Sequence, residues 1–361
     1  MARQQPHAYA WPTITQTPHT MRRIYLDLNH WISLAKAATG HRDGNRHKGA
    51  LQALSEAASS GSAVFPLSAT HYMEMSGIRD PRQRADIADV MEELSAFTTL
   101  ANRTIIMRHE IEAAVDQIIG VPSGTDDSLQ ILSFGVGHAF GVHGRLRVRS
   151  REDGGDVTDL VRGDFPAGAA AFDAIVSAAE RFVERGVLRG PSDAEVPGLA
   201  AQGWDPTTAR TGAQRRADRE IGLSSQLDAE PRWRRGRLRD VVSGRYLTNE
   251  LFDLLNELFS GRQVTDQIFG SRESARRFAD SMPSGDVHIT LTTAAHRNRD
   301  KQWTPNDIFD IDALSTAVPY CDAVVTERHA CHVLRTERIP AKTGTEIMAT
   351  LQELVTWLHR E

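Results

Sequence analysis

Carboxylates recur in this chain at the ends of short apolar runs. Asp27 comes directly after Ile24, Tyr25 and Leu26, where a charge is costly unless something pairs with it. Glu74 follows a second apolar run, AVFPL at 63–67. Asp307, Asp310 and Asp312 crowd one amphipathic segment, and a third run begins at Asp322 and ends at Thr326 and Glu327. Several of these acids have ordinary structural roles open to them: Asp27 or Asn29 as a helix cap, Asp307 as a first-turn residue favoured by the helix dipole, Glu74 as an exposed helix residue. Asp310 is harder to excuse, because it stands mid-helix beside the stripe of Ile311, Leu314 and Val318. Helical spacing puts Asp307 and Asp310 on one face and Asp312 roughly opposite Asp310, so these three cannot serve one site. Acids converging from strand ends and neighbouring helices repel unless a hard cation with oxygen ligands sits among them, and Mg²⁺ or Mn²⁺ is the expected ion.

Apolar periodicity predicts the elements that must carry these acids. Residues 23–28 read as a buried strand, followed by a helix to about Ala38 and a second helix over Leu51–Ala58. Residues 63–67 read as the next strand, and the helix capped near Ser68 carries Glu74. This β-α-α-β-α order predicts an α/β fold with a parallel sheet flanked by helices. Helical spacing then dominates, over 83–98, 106–118, 168–186, 213–226 and 246–259. Strand character returns at VHITL near 287, followed by helix, strand (323–326), helix, strand (337–340) and a last helix over 344–359. The expected organisation is a flexible leader over 1–20, a discontinuous α/β domain of 21–80 and 286–361, and a mostly helical insertion of 81–285. Neither end alone holds enough strands for a stable sheet.

In their order and spacing these residues resemble the PIN-domain nucleases. Asp27 and Asn29, in LDLN, match the Asp and Asn or Thr that end that family's first strand. Ser68 and Glu74 stand six residues apart after the second strand, as the family's Ser or Thr and Glu do. Asp310, Ala317 and Thr326 match its helical Asp, small helix residue and strand-ending Thr, whereas Asp312 is out of register. Family members often carry a further Asp two residues after that Thr; Arg328 stands there in this chain, with Glu327 or Asp322 as substitutes. The resemblance covers roughly residues 22–80 and 300–361. It implies a PIN-like sheet and a metal-dependent endoribonuclease, with a toxin or defence effector whose helical insertion selects the target as the expected setting. Asp27 and Asp310 would bind Mg²⁺ or Mn²⁺, Glu74 would hold a metal-bound water, and Glu327 or Asp322 would complete the shell. Partners implied are RNA, with a second copy or an inhibitory protein beside it. Two alternatives stand next to this reading: a degenerate PIN-like module that binds RNA or protein without cutting, prompted by Arg328, and a haloacid dehalogenase-type phosphatase, prompted by DID at 310–312.

At 361 residues with a net charge of −5, the chain is not a uniformly basic nucleic-acid binder. Basic residues cluster locally instead. Arg145, Arg147 and Arg149 alternate in GRLRVRSR, Trp233, Arg234 and Arg235 lie in RWRRGRLR, and His296 and Arg297 lie in AHRN. These are candidates for phosphate contact and base stacking, against the plainer reading of solvated arginine loops. No stretch approaches the ~18 apolar residues of a membrane span. Cys321 and Cys331 are the only cysteines, too few for a secreted disulfide framework, and a reducing cytoplasm is expected. A phosphate-cradling glycine loop, a nucleophile elbow and a dinucleotide fingerprint are all missing from the sequence.

Overall fold

Alternation decides the first strand. In a computed structural model, which describes residues 9–15, 21–120, 128–142, 144–259 and 264–360, Ile24 and Leu26 point into one hydrophobic core and Tyr25 into another. Successive side chains of a strand face opposite ways, so a sheet with cores on both sides needs apolar residues at every position.

The elements that position the site are, in chain order, β1 (Arg22–Leu26), α1 (Leu28–Ala38), α2 (Lys48–Ser59), β2 (Ala63–Val64), α3 (Ala69–Gly77) and α4 (Pro81–Ser95). Then come β3 (Thr98–Leu100), α5 (Arg103–Ile119), β4 (Leu132–Phe134), α6 (Ala169–Arg189), α7 (Thr208–Ala229) and α8 (Arg272–Ser281). The chain closes with α9 (Pro283–Arg297), α10 (Pro305–Tyr320), β5 (Ala323–Val325), α11 (Arg328–Thr336), β6 (Glu346–Met348) and α12 (Leu351–Leu358). The fold is α/β and predominantly helical. Its main sheet has the order β2-β1-β5-β6, with every neighbouring pair parallel. Leu26 lies opposite Val325, so the residues just beyond each strand, Asp27 and Thr326, emerge at the same edge. That is the carboxyl edge of the strands, where open α/β sheets bind ligands.

The middle of the chain is mostly helical but contains an antiparallel pair, β3 with β4, which the periodicity reading does not include. Leu67 joins that pair to the main sheet's flank by exchanging backbone hydrogen bonds of 2.8 and 2.7 Å with Thr98 and Leu100. The middle also packs into the same cores as the ends: Ile87 and Leu94 of α4 lie with Trp31 of α1, and Ala213 and Ala217 of α7 lie with Leu314 of α10.

Three expectations need correction. VHITL is no strand; it belongs to α9, whose residues from Pro283 to Thr293 are buried all round. A helix surrounded by protein has no polar face to give it away, so a short apolar run cannot be told from a strand by period. The last strand is 346–348 rather than 337–340, where Arg338 adopts a left-handed φ of 58° and a short helix follows. The final helix accordingly begins at Leu351, capped by the Thr350 hydroxyl, and not at 344. Within the leader, residues 9–15 are laid against the body: the Ala10 N–H donates to the Ser281 carbonyl at 2.9 Å and the Tyr9 hydroxyl to Asp286 at 2.6 Å.

Candidate functional site

Asp27 takes the capping role open to it. It caps α1, its Oδ1 accepting the Leu28 N–H at 2.7 Å, while its Oδ2 accepts the Thr326 hydroxyl at 3.4 Å. Only 8 % exposed, its carboxyl is pushed up to about 6 by burial and by the charge of Glu327, against the pull of the Leu28 and Thr326 donors. Glu327 follows Thr326 and is exposed; its Oε1 accepts from the Asn29 side-chain amide at 3.2 Å, tying the loop after β5 to the start of α1. Glu74, half-buried on α3, is pushed up to about 8 by burial and then by the charges of Asp27, Asp310 and Glu327. Asp310, half-buried on α10, is likewise pushed up to about 8 by burial and then by Asp27, Glu327 and Asp307, with Lys301 pulling the other way.

These four acids come from three regions of the sequence and share one field. Among the described residues none of them forms an ion pair. The other candidates are committed elsewhere. Asp322 binds Arg23 bidentately, at 2.9 and 3.2 Å, and accepts its backbone N–H at 2.7 Å. It stands at the start of β5, the opposite edge of the sheet from Thr326. Asp307 accepts from the Thr304 N–H at 2.8 Å as a capping box and pairs with Lys301. Asp312 is held by Arg216 at 2.9 Å and by Arg103 at 3.5 Å.

His71, which the sequence reading passed over, fixes the geometry between two of the carriers. Its Nδ1 accepts the Ser68 N–H at 3.0 Å, so Nε2 carries the proton and donates to the Leu26 carbonyl at 2.9 Å. One fully buried imidazole thus ties the end of β1, next to Asp27, to the start of the helix that carries Glu74. Burial pushes it down to about 4, which keeps it neutral. The signal was available: Ser68 and His71 have capping-box spacing. Ser68 itself bonds Thr70 at 2.6 Å and Tyr25 at 3.3 Å and serves the helix start. His30, also passed over, is half-buried beside the site, and burial lowers its imidazole too.

The donor set consists of oxygens with excess negative charge and, among the described residues, no paired guanidinium or ammonium, a chemistry that would fit Mg²⁺ or Mn²⁺. Among the described residues no three His, Cys, Asp or Glu side chains are already grouped as a ligand set.

The arginine clusters are mostly spoken for. Arg145 binds buried Glu180 at 3.0 Å, Arg147 pairs with Asp156 at 3.0 Å, and Arg149 donates to the Gly154 carbonyl at 3.0 Å. Arg234 pairs with Asp228 at 2.8 Å and Arg297 with Glu337. His296 is buried and bonds Glu220 at 2.7 Å, while Trp233 is half-buried against a third core and Arg235 is exposed.

Raised carboxyls make a prediction about folding. They hold their protons more tightly folded than unfolded, so the stability they contribute is complete below about pH 4. It is lost as pH rises through about 6 for Asp27 and about 8 for Glu74 and Asp310. In thermal melts without metal, Glu74→Gln should be the more stable protein near pH ~8.5, with the difference closing toward pH ~5. A difference that stays constant over that range refutes the shared field.

Among the described residues no helix is long and apolar enough to cross a membrane. No protein-family model, curated protein or solved structure matches the chain.

Proposed function

We propose that this chain is a PIN-like, metal-dependent endonuclease that hydrolyses phosphodiester bonds, with RNA as the substrate. The observation that supports it most is the convergence of Asp27, Glu74, Asp310 and Glu327 on one field without an ion pair among the described residues. Asp27, Asp310 and Glu327 would hold Mg²⁺ or Mn²⁺. When bound, such an ion polarises a phosphoryl oxygen and makes water a better nucleophile. The chain's own residues do the rest. Leu28 N–H and the Thr326 hydroxyl orient Asp27, Asn29 orients Glu327, and His71 sets α3 against β1. Glu74, on α3 beside Asp27 and Asp310, is the group suited to hold the attacking water.

A second reading, a binding module that does not cut, draws on Arg328 at the position where that family often has an acid and on the want of a formed ligand set among the described residues. The phosphatase reading gains nothing, since Asp310 and Asp312 lie mid-helix on α10 and Asp312 is taken up by Arg216 and Arg103. Calorimetry with Mn²⁺ and a single-stranded RNA cleavage assay separate the two that remain. Expected are saturable Mn²⁺ uptake, weakened at least ~10-fold by Glu74→Ala, and Mn²⁺-dependent cleavage. Uptake without cleavage favours the binding module; neither uptake nor cleavage removes the nuclease.

A further inference from the structure

Helix α6 wears its hydrophobic residues on the outside. Ile175, Phe182, Val183 and Val187 are 57, 74, 45 and 45 % exposed, and Ala178, Ala179 and Gly186 complete the same outer face. A surface helix normally buries its apolar stripe. The inner face of α6 instead carries two buried acids, Glu180 and Glu184, between Phe172 and Leu188.

That orientation is built in. Glu180 accepts from the Arg145 guanidinium and the Leu146 N–H, both at 3.0 Å. Glu184 accepts from the Val136 N–H at 2.8 Å and the Tyr72 hydroxyl at 3.1 Å. Gly135, at φ +86°, makes room for it: a Cβ there would lie 2.5 Å from the Glu184 Oε1. Rotating the helix to hide its apolar face would strand both acids and their donors, a heavy cost for buried polar groups.

We propose that this outer face is the contact between two copies of the chain, with α6 packed antiparallel against α6 across a two-fold axis. Side-chain size supports that register. With the axis between Glu180 and Arg181, Ile175 meets the second copy's Gly186, Ala178 its Val183 and Ala179 its Phe182, so that a large residue faces a small one in each layer. An isologous pairing repeats every contact twice. The four large side chains alone present on the order of 400 Å² per copy, about half of the ~800 Å² each partner buries in a stable interface. Each arginine at the rim already has an acid beside it: Arg185 binds Glu92 at 2.6 Å, Arg181 shares the same carboxylate from 3.6 Å, and Arg189 pairs with Asp89. Docking therefore strands no cation. It also argues against an anionic lipid surface, which would call for uncommitted arginines.

Sedimentation velocity on the full chain tests this, independently of any nuclease activity. Up to ~100 µM the protein should sediment as a dimer, and Phe182→Glu should weaken the association at least ~100-fold. Phe182→Leu should leave it dimeric, and circular dichroism and melting should match wild type for both, because position 182 is exposed. A wild-type monomer at that concentration, a Phe182→Glu dimer, or a monomer that floats with vesicles of anionic lipid would each overturn the proposal.

Discussion

Asp310→Asn should lower Mn²⁺-dependent RNA cleavage on the order of 10³-fold while raising the melting temperature of the metal-free protein by about 2–4 °C. The two effects have one origin. Asp310 is half-buried and faces the charges of Asp27 and Glu327 with Lys301 as its nearby counterweight. Asparagine keeps the shape and removes the charge, so the apo protein sheds repulsion and the ion loses an anionic ligand. The stabilisation by added Mn²⁺ should shrink in the variant, since a ligand that binds only the folded state stabilises in proportion to its affinity. An unchanged cleavage rate would falsify the assignment of Asp310; a lower apo melting temperature would mean the residue is a structural partner instead.

Asp312, two residues further along the same helix, should behave in the opposite way. Burial alone would raise its carboxyl, but Arg103 and Arg216 overcome that and hold it well below the usual carboxylate range. The same two guanidiniums also grip Glu250, at 3.3 and 3.1 Å. Asp312→Ala leaves two positive charges facing one acid where there were two acids, and breaking a buried pair this way costs about 3–5 kcal/mol. Urea unfolding should report that loss at pH ~7, and the loss should diminish as pH falls below the ordinary carboxylate range near ~4, because Asp312 of the unfolded chain then takes up a proton that the folded, arginine-held carboxylate does not. The folded fraction of Asp312→Ala should still take up Mn²⁺. A destabilisation below ~1 kcal/mol would put Asp312 among surface pairs of little worth.

Part of this was legible in the sequence because it depends on local pattern. Asp27 and Thr326 stand where their apolar runs end, Glu74 lies six residues after the Ser68 cap, and the period of α10 separates Asp310 from Asp312 without any tertiary information. The choice of ion-pair partner was not legible. Asp322 and Glu327 were equal candidates in the sequence, and only the pairing of β1 with β5 sets Asp322 beside Arg23 at the far edge of the sheet. The same limit hid α9, whose buried run lacks a polar face, and β6, where three residues carry too little alternation to register. For His71 the capping-box spacing with Ser68 was legible, but nothing in the local sequence says that a histidine inside SATHYME is completely enclosed or reaches the Leu26 carbonyl.

The sheet is stitched from distant parts of the chain. Tyr25 pairs with Val324, and β6 joins beyond it, so during synthesis β1 has only β2 beside it until the distant β5 has been made. Such long-range closure is slow, and it has a functional corollary. Asp310, Thr326 and Glu327 come to share the neighbourhood of Asp27 only once β5 has docked on β1, so the long-range closure that completes the sheet is the same event that assembles the acid cluster.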